Sequence, residues 1–141
     1  MKTDKLLQTI YKGTTMAVDS INNLMEYVDN EEMIALLQNQ QDKYYKIKAD
    51  VKRELEGIGI NELEDLRMAR MTAKYVMKMR MAFDRTKEKV AKMLYRGAEM
   101  GLEDLASEEN NLKRAGEKVP ELAKEYREML VYNRKELQKF M

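Results

Sequence analysis

Residues 10–21 read IYKGTTMAVDSI, and residues 94–105 read LYRGAEMGLEDL. Tyr, Gly and Met recur at identical offsets, while the basic residue, the acid and the flanking aliphatics recur in kind. Both copies carry a stripe spaced three or four residues apart: Ile10, Thr14, Ala17 and Ile21 in one, Leu94, Ala98, Gly101 and Leu105 in the other. That is the period of an α-helix, so the repeat predicts a duplicated helix pair.

Outward from the first copy, the stripe extends from Leu7 to Leu24 and Val28, with Thr3 and Asp4 ahead of it as capping residues. Asp29 or Asn30 then caps a second helix, whose stripe is Met33, Leu37, Gln40, Tyr44, Ile47, Val51 and Ile58, and which Gly57 and Gly59 end. A link of a residue or two makes these helices a hairpin over 3–58. Around the second copy, Asp84 serves as N-cap and the stripe is Ala91, Leu94, Ala98, Gly101, Leu105 and Leu112, ending near Gly116. Pro120 opens a last helix presenting Leu122, Tyr126, Leu130, Asn133, Leu137 and Phe140, which makes a second hairpin over 84–141. The crossover, 60–83, is long enough for a helix of its own and begins with Asn61 and Glu64 at capping-box spacing.

Composition agrees with one all-α domain. The 141 residues are 44% hydrophobic and 36% charged, with a single Pro, which favours long solvated helices around one core. Lys and Arg number 26 against 25 acids, so no overall field draws the chain to nucleic acid or an anionic membrane. There is no His and no Cys, which removes imidazole acid–base chemistry, thiol nucleophiles and the common nitrogen and sulfur ligands of zinc. No Gly-rich phosphate loop is present, and neither a signal-peptide core nor a membrane-length apolar run occurs, so a cytoplasmic protein is expected.

Two hairpins joined by a long crossover, with their first helices alike, resemble the ferritin-like four-helix bundle of the rubrerythrin and ferritin superfamily. The chain is also similar to small uncharacterised bundle proteins of Gram-positive bacteria. The resemblance implies that the first and third bundle helices are antiparallel neighbours, bringing Gly13 and Ala17 against Gly97 and Gly101. Glycine inside a helix costs about 1 kcal/mol relative to alanine, so a close helix crossing at Gly13, Gly97 and Gly101 gives these residues a reason to be there. Tyr11 and Tyr95 are expected to close its flanks.

The same resemblance implies a di-iron centre built from one Glu on each of the first and third helices and a Glu-x-x-His on each of the others. This sequence departs from that pattern. Asp19 and Glu103, the repeat's paired acids, point away from their stripes at about 100° per residue, and the second and fourth helices offer no Glu-x-x-His, their stripe positions where it should sit holding Gln40, Tyr44, Tyr126 and Asn133. No metal and no cofactor are therefore expected, and Thr14, Gln40, Tyr44 and Asn133 read as a hydrogen-bonded core layer. Glu108, between Leu105 and Leu112, is the candidate buried carboxylate, with Tyr126 as its donor.

The crossover stretch LRMARMTAKYVMKMRMAF (66–83) is basic and Met-rich. On a helical wheel Leu63, Leu66, Ala69, Ala73, Met77 and Met81 share one side, and Met68, Met71, Tyr75, Met79 and Ala82 the opposite one. A membrane-surface helix wants a single apolar face, and one tyrosine gives little stacking surface for nucleic acid. Two apolar faces fit burial on both sides, so Met68, Met71, Tyr75 and Met79 are the expected partner interface, in a homodimer or other homo-oligomer or with an unidentified protein partner. The expected function is non-enzymatic, through self-association or partner binding, with no nucleic acid and no membrane. A carboxylate metal-binding member of the same superfamily is the alternative, and a polyanion or membrane-surface adaptor ranks below it.

Overall fold

The computed structural model describes residues 2–60 and 86–141, and among them there are four long helices and no strand. These are α1 (Lys2–Leu24), α2 (Glu31–Gly57), α3 (Lys87–Arg114) and α4 (Glu121–Leu137), with short 3-10 turns at Met25–Tyr27 and Gln138–Phe140. The expected interface residues Met68, Met71, Tyr75 and Met79, and the expected cap Asp84, lie outside the described residues. Among the described residues, no helix is long and apolar enough to cross a membrane.

Local chemistry sets the helix ends. Asn30 is the cap of α2, its Oδ1 accepting from the Met33 backbone N–H at 2.9 Å. At α3 the cap is Thr86, whose hydroxyl accepts from the Lys89 N–H at 3.2 Å, so Asp84 is not the capping residue. A threonine directly before the first turn can reach the orphan N–H groups, and a residue two positions earlier cannot. Thr3 and Asp4 lie inside the first turn of α1, where Asp4 complements the positive end of the helix. The C-termini of α2 and α3 share one solution: Ile60 N–H donates to the Leu55 carbonyl, and Glu117 N–H to the Leu112 carbonyl, each at 2.9 Å. Each bond needs the intervening Gly59 (φ 88°) or Gly116 (φ 70°) in the left-handed region.

One core joins all four helices. The stripes bury Leu7, Ile10, Thr14, Ile21, Leu24 and Val28 from α1 and its turn, and Met33, Leu37, Gln40, Tyr44, Ile47 and Val51 from α2. Ile58 departs from expectation at 51% exposure, because α2 ends at Gly57 and Leu55, four residues on from Val51, takes the interior position. Helix α1 also buries Leu6, Tyr11, Thr15 and Val18, a second face that it needs because it packs on both α2 and α3. Helix α3 packs on α4, and α2 on α4. Contacts pair Tyr11 with Lys48 and Asn22 with Gln41 across α1 and α2, so partner numbers fall on one helix as they rise on the other. Across α3 and α4 the pairs are Tyr95 with Arg134, Gly101 with Leu130, and Glu109 with Arg127, again in reversed order.

The interior carboxylates of α3 differ from expectation. Glu109 is the deeper one, its side chain 6% exposed and ion-paired with Arg127, while the Glu108 side chain is 12% exposed with Oε1 4.0 Å from Lys5 Nζ. Burial on α3 runs Leu105, Glu109, Leu112, a step of four and then three, which turns Glu109 toward α4 and Glu108 toward α1. Tyr126 is not the donor to Glu108: the buried Oε2 of Glu108 has no hydrogen-bond partner among the described residues. Removing Arg127 leaves the Glu109 charge buried and unpaired, so Arg127→Leu should destabilise by about 1–3 kcal/mol, discounted because Arg127 is partly exposed. Adding Glu109→Leu to that variant should recover most of the loss in urea unfolding, since both charges then leave together.

Candidate site between the first and third long helices

The sequence repeat meets itself in space. Gly13 and Ala17 of α1 face Gly97, Ala98 and Gly101 of α3 across a cavity of about 190 Å³. Its walls are Met16, Ile21 and Leu24 on one side and Met93, Leu94 and Met100 on the other, while Gln40, Tyr44, Tyr126 and Leu130 reach it from α2 and α4. A second, more open hollow of about 280 Å³ shares Gly13, Met16, Gly101, Asp104 and Tyr126 and runs on to Lys12 and Glu108.

The three glycines are not equivalent in what a Cβ would meet. A Cβ at Gly13 would overlap the Tyr126 hydroxyl, and one at Gly101 would stand 3.3 Å from that hydroxyl and 3.2 Å from Leu130 Cδ1. A Cβ at Gly97 meets nothing within 4 Å among the described residues. At Gly13 and Gly101 the nearest approach to a built Cβ comes from α4, through the Tyr126 hydroxyl and the Leu130 side chain. Tyr11 and Tyr95 also differ, the first fully buried under Lys48 and the second partly exposed beside Arg134.

Around this tyrosine lies a neutral polar layer. Gln40 Nε2 donates to the Asn133 backbone carbonyl at 3.2 Å, and the Thr14 hydroxyl donates to the Tyr11 carbonyl at 2.9 Å. Asn133 is wholly buried, and its side-chain amide sits near the Tyr44 hydroxyl without a well-formed hydrogen bond. Burial pushes the Tyr44 phenol above its ordinary value, and the nearby Asn133 amide offsets this in part. Tyr126 is likewise pushed up, first by burial and then by the neighbouring Tyr44 and the Asp104 carboxylate. Both therefore remain O–H groups across the physiological range.

Among the described residues no group of three or more acidic, His or Cys side chains is placed to hold a metal ion. Asp19 sits at the surface of α1 with its carbonyl accepting from Asn23 Nδ2 at 2.7 Å, and Glu103 is exposed. The arrangement offers hydrogen-bonding and apolar contact. No protein family, curated protein or solved structure matches this chain in comparison. The chemistry of the site therefore rests on the geometry alone.

Two outcomes follow for the inserted tyrosine. Gly13→Ala should cost about 1–3 kcal/mol by overpacking, and Tyr126→Phe in the same chain should restore most of it, whereas Gly97→Ala should gain about 0.5–1 kcal/mol. Equilibrium denaturation of the four proteins measures all three effects. The raised phenols stabilise the fold below the ordinary tyrosine pKa of about 10, and this contribution is lost as pH climbs above it, because the unfolded chain then releases protons that the folded chain retains. Thermal melting should thus drop more steeply above about pH 10 in wild type than in the Tyr44→Phe, Tyr126→Phe double variant.

Proposed function

We propose that the chain is a non-enzymatic, cytoplasmic ferritin-like bundle that acts through self-association or by binding a protein partner. The observation that carries this reading is the centre of the fold. Gln40, Tyr44, Tyr126 and Asn133 are all neutral and buried, and on the ferritin-like reading theirs are the positions where metal ligands would be expected. Neutral amides and phenols with raised pKa values supply neither a ready general base nor a charged metal cage. The reversed residue pairings across α1 and α2, and across α3 and α4, support two antiparallel hairpins joined by the crossover.

Self-association is assigned to the sequence of the crossover, where Met68, Met71, Tyr75 and Met79 share one side of a helical wheel. Light scattering at micromolar concentration should give a dimer or larger assembly for the wild type, and a monomer for the Met71→Glu, Met79→Glu double variant with unchanged helicity. A monomeric wild type would defeat self-association. Stoichiometric iron or manganese in protein purified without chelator would favour the carboxylate metal-binding alternative.

A further inference from the structure

We propose that the cavity between α1 and α3 is a binding site for a small uncharged molecule, about one ring in size, that carries a hydrogen-bond acceptor. The inference does not rest on self-association. It begins from volume: interiors are close-packed, and a space of about 190 Å³ forfeits contacts that larger side chains would supply. Small residues, Ala17, Gly97, Ala98 and Gly101, make up part of its wall, and a Cβ at Gly97 meets nothing within 4 Å among the described residues. For scale, an engineered apolar cavity of about 150 Å³ is enough to hold benzene.

Small residues alone would show only a space. The second observation is the floor, where Tyr126 is 2% exposed and its hydroxyl makes no hydrogen bond among the described residues. The hydroxyl oxygen is not sealed inside the protein, so an acceptor bound in the cavity takes the place of water there and gives the O–H a partner. Tyr44 and Gln40 line the same cavity, Gln40 with one amide N–H given to the Asn133 carbonyl, so a carbonyl or ether oxygen entering between α1 and α3 meets residues able to donate.

Charge then narrows the ligand. Among the described residues no Lys or Arg lines this cavity, so there a carboxylate or phosphate would be desolvated without a counter-charge. Among the described residues Asp104 is the one carboxylate in the lining, and it is exposed, where water screens it from a cation inside. The walls, built from Met16, Ile21, Met93 and Leu94, suit an apolar body, and Met side chains adapt to its shape.

Titration of the full chain, labelled at its methionine methyl groups, with cyclohexanone, benzoate and benzylammonium tests the assignment by NMR. Cyclohexanone should give saturable shifts concentrated at Met16 and Met93, with the two charged probes at least tenfold weaker. Tyr126→Phe should weaken cyclohexanone by about three- to tenfold, the loss of one hydrogen bond, and Ala17→Leu should abolish binding while the chain still melts cooperatively. Absence of saturable shifts would overturn the proposal, leaving a space that only water fills. Equal binding of all three probes would overturn the uncharged class, and wild-type affinity in Tyr126→Phe would overturn the acceptor. Should Ala17→Leu fail to fold, the wild-type shift map and the Tyr126→Phe comparison still decide the matter.

Discussion

The Tyr126 ring stands with its hydroxyl against the backbone of Gly13, and that single approach organises the middle of the molecule. The phenol comes from α4, and its hydroxyl lies close to both Gly13 of α1 and Gly101 of α3. Any side chain at residue 13 would have to push α4 outward or tilt the ring, and the ring is rigid and buried. Gly101 serves the same contact from the other helix, giving room to Tyr126 and Leu130 together. The helix-propensity cost of two interior glycines is thus offset by the packing of one large side chain.

The same insertion accounts for the polar layer and the cavity. A tyrosine reaching the bundle centre brings a hydroxyl into a low-dielectric region, where Tyr44, Gln40 and Asn133 share its level. On the far side of the ring, helices held apart and lined by Ala17, Gly97 and Ala98 cannot close the space between them. Strength at the ends of the bundle comes from elsewhere: fully buried leucines such as Leu37, Leu55, Leu105 and Leu112, each contributing about 1.5–3 kcal/mol, and the Glu109–Arg127 pair.

Much of the helical plan is legible in the sequence, because spacing of three and four residues records which face each helix buries. Leu7, Ile10, Ile21, Met33, Leu37, Val51, Leu122, Leu130 and Leu137 all follow from that spacing. What spacing does not record is which neighbour fills a given gap. Gly13 and Gly97 look alike in the repeat, yet only one faces a tyrosine, and nothing local distinguishes them. Glu108 and Glu109 are both compatible with a helical stripe after Leu105, and the choice depends on where α4 places Arg127. Ile58 fails because α2 ends at Gly57, one residue before it, and Thr86 caps α3 because it directly precedes the first turn.

The central claim, that Tyr126 is wedged between α1 and α3 with its hydroxyl on Gly13, is most directly tested by nuclear Overhauser spectroscopy on protein labelled at tyrosine rings and glycine α-carbons. The account predicts strong cross-peaks from the Tyr126 ring to the α-protons of both Gly13 and Gly101, and none to Gly97. Cross-peaks to Gly97 in place of Gly13, or a Tyr126 ring that shows no contact with either helix, would contradict it.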